Sequence, residues 1–158
     1  MSRHKISLVV NGQRYELEVE SHQTLLHVLR DTLNFTGVKC ACEHGDCGLC
    51  TVLLNGAPTK SCLVLAVEAN GQEITSIEGL AKDGELTSVQ KAFIKHGAVQ
   101  CGFCTPAFIL VSEAFLERNT NPTEEEVKEA IGGLLCRCTG YRQIIDAILD
   151  ASKEKRKK

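Results

Sequence analysis

Two short runs open the chain, Ile6 to Val10 and Arg14 to Val19; in the second, Tyr15, Leu17 and Val19 alternate with Arg14, Glu16 and Glu18. Alternation with period two puts one face of a strand on a core, and the intervening Asn11-Gly12 tolerates the positive φ of a tight turn, so a hairpin is predicted. Leu25, Leu26, Val28, Leu29 and Leu33 then recur at helical spacing behind Ser21 and Thr24, either of which can supply an N-cap oxygen. The glycine-punctuated stretch from Gly37 to Gly48 fits no regular element. Thr51 to Leu54, Cys62 to Val67 and Gln72 to Ile77 read as short strands, with Asn55-Gly56 as a second turn.

After about Gly79 the period changes. Leu86 to Lys95 is helical in pattern, with Val89, Phe93 and Ile94 on one face. Pro106 suits the first turn of a helix running through Phe108, Leu110, Val111, Phe115 and Leu116. Asn121-Pro122 breaks the chain, and Thr123 with Glu126 forms a capping-box signature before a helix through Val127, Ile131 and Leu134. A last helix, Tyr141 to Ser152, carries Ile144, Ile145, Ile148 and Leu149 on one stripe. The expected class is α+β, with a β-rich domain over residues 1–80 and a four-helix domain over 81–158.

Charge narrows the function. The net charge is −2, with acids and bases interspersed, so no basic face argues for nucleic acid. The basic tail from Lys153 to Lys158 reads as a solvated helix end. No run of about 18 apolar residues is present, which argues against a membrane span. The N-terminus lacks a secretory pattern, so a cytoplasmic protein is expected. In a reducing compartment nine cysteines, an odd number, point to metal rather than disulfides.

Eight of the nine fall into two quartets. Cys42-x4-Cys47-x2-Cys50 followed by Cys62 is the plant-type ferredoxin spacing for a [2Fe–2S] cluster. Gly45 and Gly48 let the intervening backbone turn its N–H groups toward a cluster. Structural zinc is the alternative, although zinc ligands usually come as separated short pairs. Cys40 is the odd cysteine, expected outside the ligand set, and His44 is expected to be an exposed loop residue. In the second quartet, Cys101-x2-Cys104 precedes one helix and Cys136-x-Cys138 another, where unpaired N–H groups favour thiolates. Taken alone this quartet fits zinc or iron–sulfur. The chain has no Gly-x-Gly-x-x-Gly fingerprint or P-loop and no candidate catalytic residue.

In order, Gly37-Val38-Lys39, the loop Cys42 to Val52, Gln100 to Pro106 and Cys136 to Tyr141 resemble the small iron–sulfur subunit of molybdenum hydroxylases, the family of xanthine dehydrogenases, aldehyde oxidoreductases and aerobic carbon monoxide dehydrogenases. The resemblance implies a β-grasp ferredoxin-like domain and a helical domain, each holding one [2Fe–2S] cluster. It implies a large partner subunit holding molybdopterin in a dinucleotide form, a medium partner subunit holding FAD, and a higher-order heteromer. It also implies that Gln100 and Cys138 contact the pterin. Three positions depart from the family's pattern: Ala41 and Ala107 where glycine is usual, and Leu134 where asparagine is common, a change that could remove one polar contact near the inner cluster or the partner surface. Two other function classes compete, a free two-cluster ferredoxin-type carrier and a zinc-stabilised interaction module.

Overall fold

The computed structural model describes residues 2–156. The predicted hairpin forms, with β1 (Arg3–Val10) antiparallel to β2 (Gln13–Glu20). Val10 pairs Gln13, which leaves Asn11 and Gly12 as the turn at φ 52° and 81°, the mirror-image geometry that suits twisted hairpins. β1 also runs parallel to β5 (Glu73–Thr75), β5 antiparallel to β3 (Thr51–Leu54), and β3 antiparallel to β4 (Ala57–Lys60). The mixed sheet therefore has the order β2-β1-β5-β3-β4.

The helix expected from Leu25 to Leu33 is one α turn, α1 (Leu25–His27), capped by the Thr24 hydroxyl, followed by a wide π turn over Val28–Thr32. The Leu33 N–H reaches back five residues to the Val28 carbonyl at 3.0 Å, which keeps Val28 and Leu29 buried. A second expectation fails more consequentially. Cys62 to Val67 is not a strand: Ser61–Leu63 is a single 3-10 turn, and only Leu65 makes a lone bridge, to Thr24.

Four helices follow: α2 (Ser88–Lys95), α3 (Thr105–Arg118), α4 (Glu124–Ile131) and α5 (Arg142–Lys155). Thr87 and Thr123 close capping boxes with Gln90 and Glu126. Ile94, expected on the inner face of α2, points to solvent, while Val89 and Phe93 are buried. Leu134 lies beyond the end of α4, and Tyr141 caps α5 in the left-handed conformation rather than starting it. α5 extends to Lys155, whose ammonium meets the buried Glu113 carboxylate at 2.7 Å. Lys157 and Lys158, the end of the basic tail, lie outside the described residues. Among the described residues no helix is long and apolar enough to cross a membrane.

Two cores abut. One lies under the sheet, around Leu8, Val10, Leu25, Leu29, Val52 and Ile74. The other joins α2 to α5 through Phe93, Phe108, Leu116, Ile144 and Ile148, yet it also takes in Cys47 and Leu49 from the N-terminal loop. Leu53 of β3 packs on Leu110 and Ala114 of α3, so the sheet and the helices share a seam.

Candidate metal centres

The loop from Cys42 to Cys50 is built around two glycines. Gly48 has φ +70°, and a Cβ there would lie 2.3 Å from the Gly133 carbonyl oxygen and 2.7 Å from the Leu134 side chain. Only glycine allows that approach. The loop is fastened in place by the Thr51 hydroxyl donating to the Gly48 carbonyl at 2.6 Å and the Ser61 hydroxyl donating to the Cys50 carbonyl at 2.7 Å. The second bond explains the turn at Ser61–Leu63: after pairing with β3, the chain folds down and sets Cys62 beside Cys50.

All four sulfurs of the first quartet converge. The Cys47 N–H donates to the Cys42 sulfur at 3.4 Å, and this bond, with the backbone of His44, holds the Cys42 thiol down to about 6. Burial pushes Cys62 up to about 11, helped by the neighbouring Cys50 thiol and the more distant Cys42. Cys47, Cys50 and Cys62 are buried and Cys42 is half-buried. His44 is exposed and pairs with Asp46 at 3.0 Å, as expected of a loop residue. Cys40 turns toward Glu43, whose carboxylate raises its thiol to about 11.

The second quartet converges as well. Cys104 is the N-cap of α3, with Pro106 in its first turn. The Cys138 and Cys101 sulfurs lie 3.5 Å apart, and both residues are exposed. Cys101 is held down by the Phe103 N–H and then by Cys138, while Cys138 is raised by Cys101. Burial pushes Cys104 up to about 12, with Cys136 adding to it. At Cys136 burial also works upward, but the Thr139 hydroxyl at 3.1 Å and its N–H at 3.4 Å outweigh it and leave the thiol lowered. Gln100 is exposed beside Cys101.

These contacts sort the thiols into couples, Cys42 with Cys47, Cys50 with Cys62, Cys101 with Cys138 and Cys104 with Cys136. Among the described residues no three metal-binding side chains gather tightly enough for a single ion. Couples set side by side fit a two-iron cluster, in which each iron takes two thiolates, better than a single zinc.

Sequence reasoning missed Tyr141. Its hydroxyl accepts the Cys136 N–H at 2.9 Å and donates to the Leu134 carbonyl at 3.4 Å, so it braces the segment that presents Cys136. Its ring meets Phe108 edge-on at 6.1 Å. Thr139-Gly140-Tyr141, directly after the ligand pair, was the available signal. Leu134 is buried against Gly48, and Ala107 is buried in the helical core.

The comparisons agree with this geometry. Residues 8–81 match the family described as the 2Fe-2S iron-sulfur cluster binding domain, and residues 76–149 match the [2Fe-2S] binding domain. The nicotine 6-hydroxylase small subunit of Paenarthrobacter nicotinovorans is 48% identical over 149 residues, covering 94% of this chain and 90% of that one. The xanthine dehydrogenase iron-sulfur-binding subunit of Escherichia coli O157:H7 is 43% identical over 152 residues, 95% of each chain. In the crystal structure of quinoline 2-oxidoreductase from Pseudomonas putida 86, one chain superposes with a TM-score of 0.93 at 43% identity, covering 98% of this chain and 97% of that one. With a five-stranded ferredoxin-type domain followed by a helical [2Fe–2S] domain, the chain belongs to the small iron–sulfur, electron-transfer subunits of the molybdenum hydroxylases.

Proposed function

We propose that this subunit carries electrons between molybdopterin on a large partner subunit and FAD on a medium one, with the helical centre on the pterin side and the ferredoxin-like centre on the flavin side. Cys42, Cys47, Cys50 and Cys62 would hold one [2Fe–2S] cluster, and Cys101, Cys104, Cys136 and Cys138 the other. Each cluster, when bound, supplies one-electron chemistry. The boundary between the two domains is placed near residue 80, and the assembly in the cytoplasm, where nine cysteines stay reduced.

One observation carries the reading: the two thiol quartets meet through the backbone. The Leu135 N–H donates to the Cys47 carbonyl at 3.0 Å, so the residue next to Cys136 is bonded directly to a residue of the other quartet. Gly48 lying on Gly133 makes that contact possible. At the far end, Cys101 and Cys138 are exposed beside Gln100, whose amide offers both donors and an acceptor to a pterin edge. Half-exposed Val99 and Phe103 adjoin Gln100 and Cys101 in sequence, as a surface that becomes buried on assembly requires.

The test is an iron count with EPR after reduction. Two centres give about four irons per chain and two distinct signals. Well under four irons, or one signal, removes the proposal. Purification with polypeptides carrying molybdenum and flavin tests the partners.

A further inference from the structure

Lys60, the last residue of β4, reaches into the loop that carries the first quartet. Its ammonium crosses to the Cys42–Cys50 loop and donates to the Gly45 carbonyl at 2.6 Å, a short, charge-assisted bond from a half-buried side chain. Gly45 adopts φ +91°, with the Leu63 side chain lying where a Cβ would be, 2.8 Å away. In this conformation its carbonyl faces Lys60 while its N–H faces the Cys62 sulfur. One residue thus joins an ammonium on one side to a candidate ligand on the other.

We propose that Lys60 is a positioning residue for the first centre: it locks the Gly45 peptides so that N–H groups face sulfur, and its charge favours the reduced state. Reduction adds one electron and one negative charge to the centre, so a nearby cation and inward N–H dipoles both raise the potential. Without Lys60 the Gly45 carbonyl loses its charged donor, and the stretch around Gly45 loses a tie that the Thr51 and Ser61 hydroxyls, further along the loop, do not replace. The inference rests on the ligand assignment above.

The experiment is a potentiometric EPR titration of the full chain with its iron in place, comparing Lys60→Met, Lys60→Gln and Lys60→Arg. Lys60→Met should lower the potential of one signal only, by a factor of about three to ten in the reduction equilibrium, ~30–60 mV for a one-electron couple. Lys60→Gln, which keeps a donor without the charge, should recover part of this, and Lys60→Arg most of it. Unmoved potentials in Lys60→Met, or an equal shift of both signals, overturn the role of Lys60. If Lys60→Met fails to hold iron, the other two variants decide: a lower potential in Lys60→Gln than in Lys60→Arg upholds the proposal, and equal potentials overturn it. A wild-type chain with one signal overturns the ligand assignment and this role together, whereas two signals with unmoved potentials overturn the role of Lys60 alone.

Discussion

The two quartets have the same donors in opposite surroundings. In the first, three sulfurs are buried and the fourth is half-buried, inside a loop fastened to strands and pressed against the helical core. In the second, Cys104 is buried, Cys136 is half-buried, and Cys101 and Cys138 are exposed. The first is supported by hydroxyl, ammonium and backbone bonds across the sheet, and the second by the turn from Thr139 to Tyr141 and by the start of α3. A quartet enclosed by both halves of its own chain is tuned by that chain, whereas a quartet with two thiols at the surface is completed by whatever covers them.

The most disruptive tests remove a ligand. Cys104→Ser takes a buried sulfur from the N-cap of α3 and should abolish one EPR signal, about two irons, and turnover of the assembled enzyme. Cys47→Ser should abolish the other signal and leave the first. Loss of both signals from either variant would show that the quartets do not load independently. Next, Gly48→Ala should cost about 2–5 kcal/mol from a left-handed backbone and overpacking together, because its Cβ would meet the Gly133 carbonyl. Thermal unfolding would measure it, and both signals should broaden because the substitution strikes where the quartets touch.

A smaller effect should separate the two supports. Tyr141→Phe removes the acceptor for the Cys136 N–H and should cost about 1 kcal/mol while perturbing only the second centre's EPR line shape. A change confined to the other signal would contradict the bracing role. Acid should also act unevenly. Asp150 on α5 is held below its ordinary value of 3.8 by Lys95 and then His96 at the end of α2. A depressed carboxylate contributes stability that is fully present above its unfolded value and is lost as pH falls through the lower folded one. Asp150→Asn should therefore flatten the loss of stability below about pH 4, read as a shallower acid-unfolding curve. Cys40→Ser should change iron content least of all, since Cys40 faces Glu43 rather than the quartet.

What could be read from the sequence was local. Asn11-Gly12, the Thr123–Glu126 capping box and Pro106 act within a few residues, and each appears where expected, whereas the Thr87–Gln90 box went unread. β4 was missed because Ala57-Pro58-Thr59-Lys60 has little apolar alternation, and Pro58 is tolerated only because β4 lies at the sheet's edge. Cys62 to Val67 was misread because an apolar run suggests a strand, whereas here Leu63 and Leu65 are exposed in an irregular turn, and the Ser61–Cys50 bond that decides the matter spans a hairpin. The cysteine spacings named the ligand candidates, yet nothing local could show that Cys47 would sit in the helical core or that Leu135 would bond to it.

The exposure of Cys101 and Cys138 also bears on what can reach each quartet. A folded chain still offers those two thiols to an incoming reagent, although Cys104 of the same quartet is buried. Cys47, Cys50 and Cys62 offer no such door, and only the half-buried Cys42 gives that quartet an outward side. The same opening exposes both thiols to oxidants in the isolated chain.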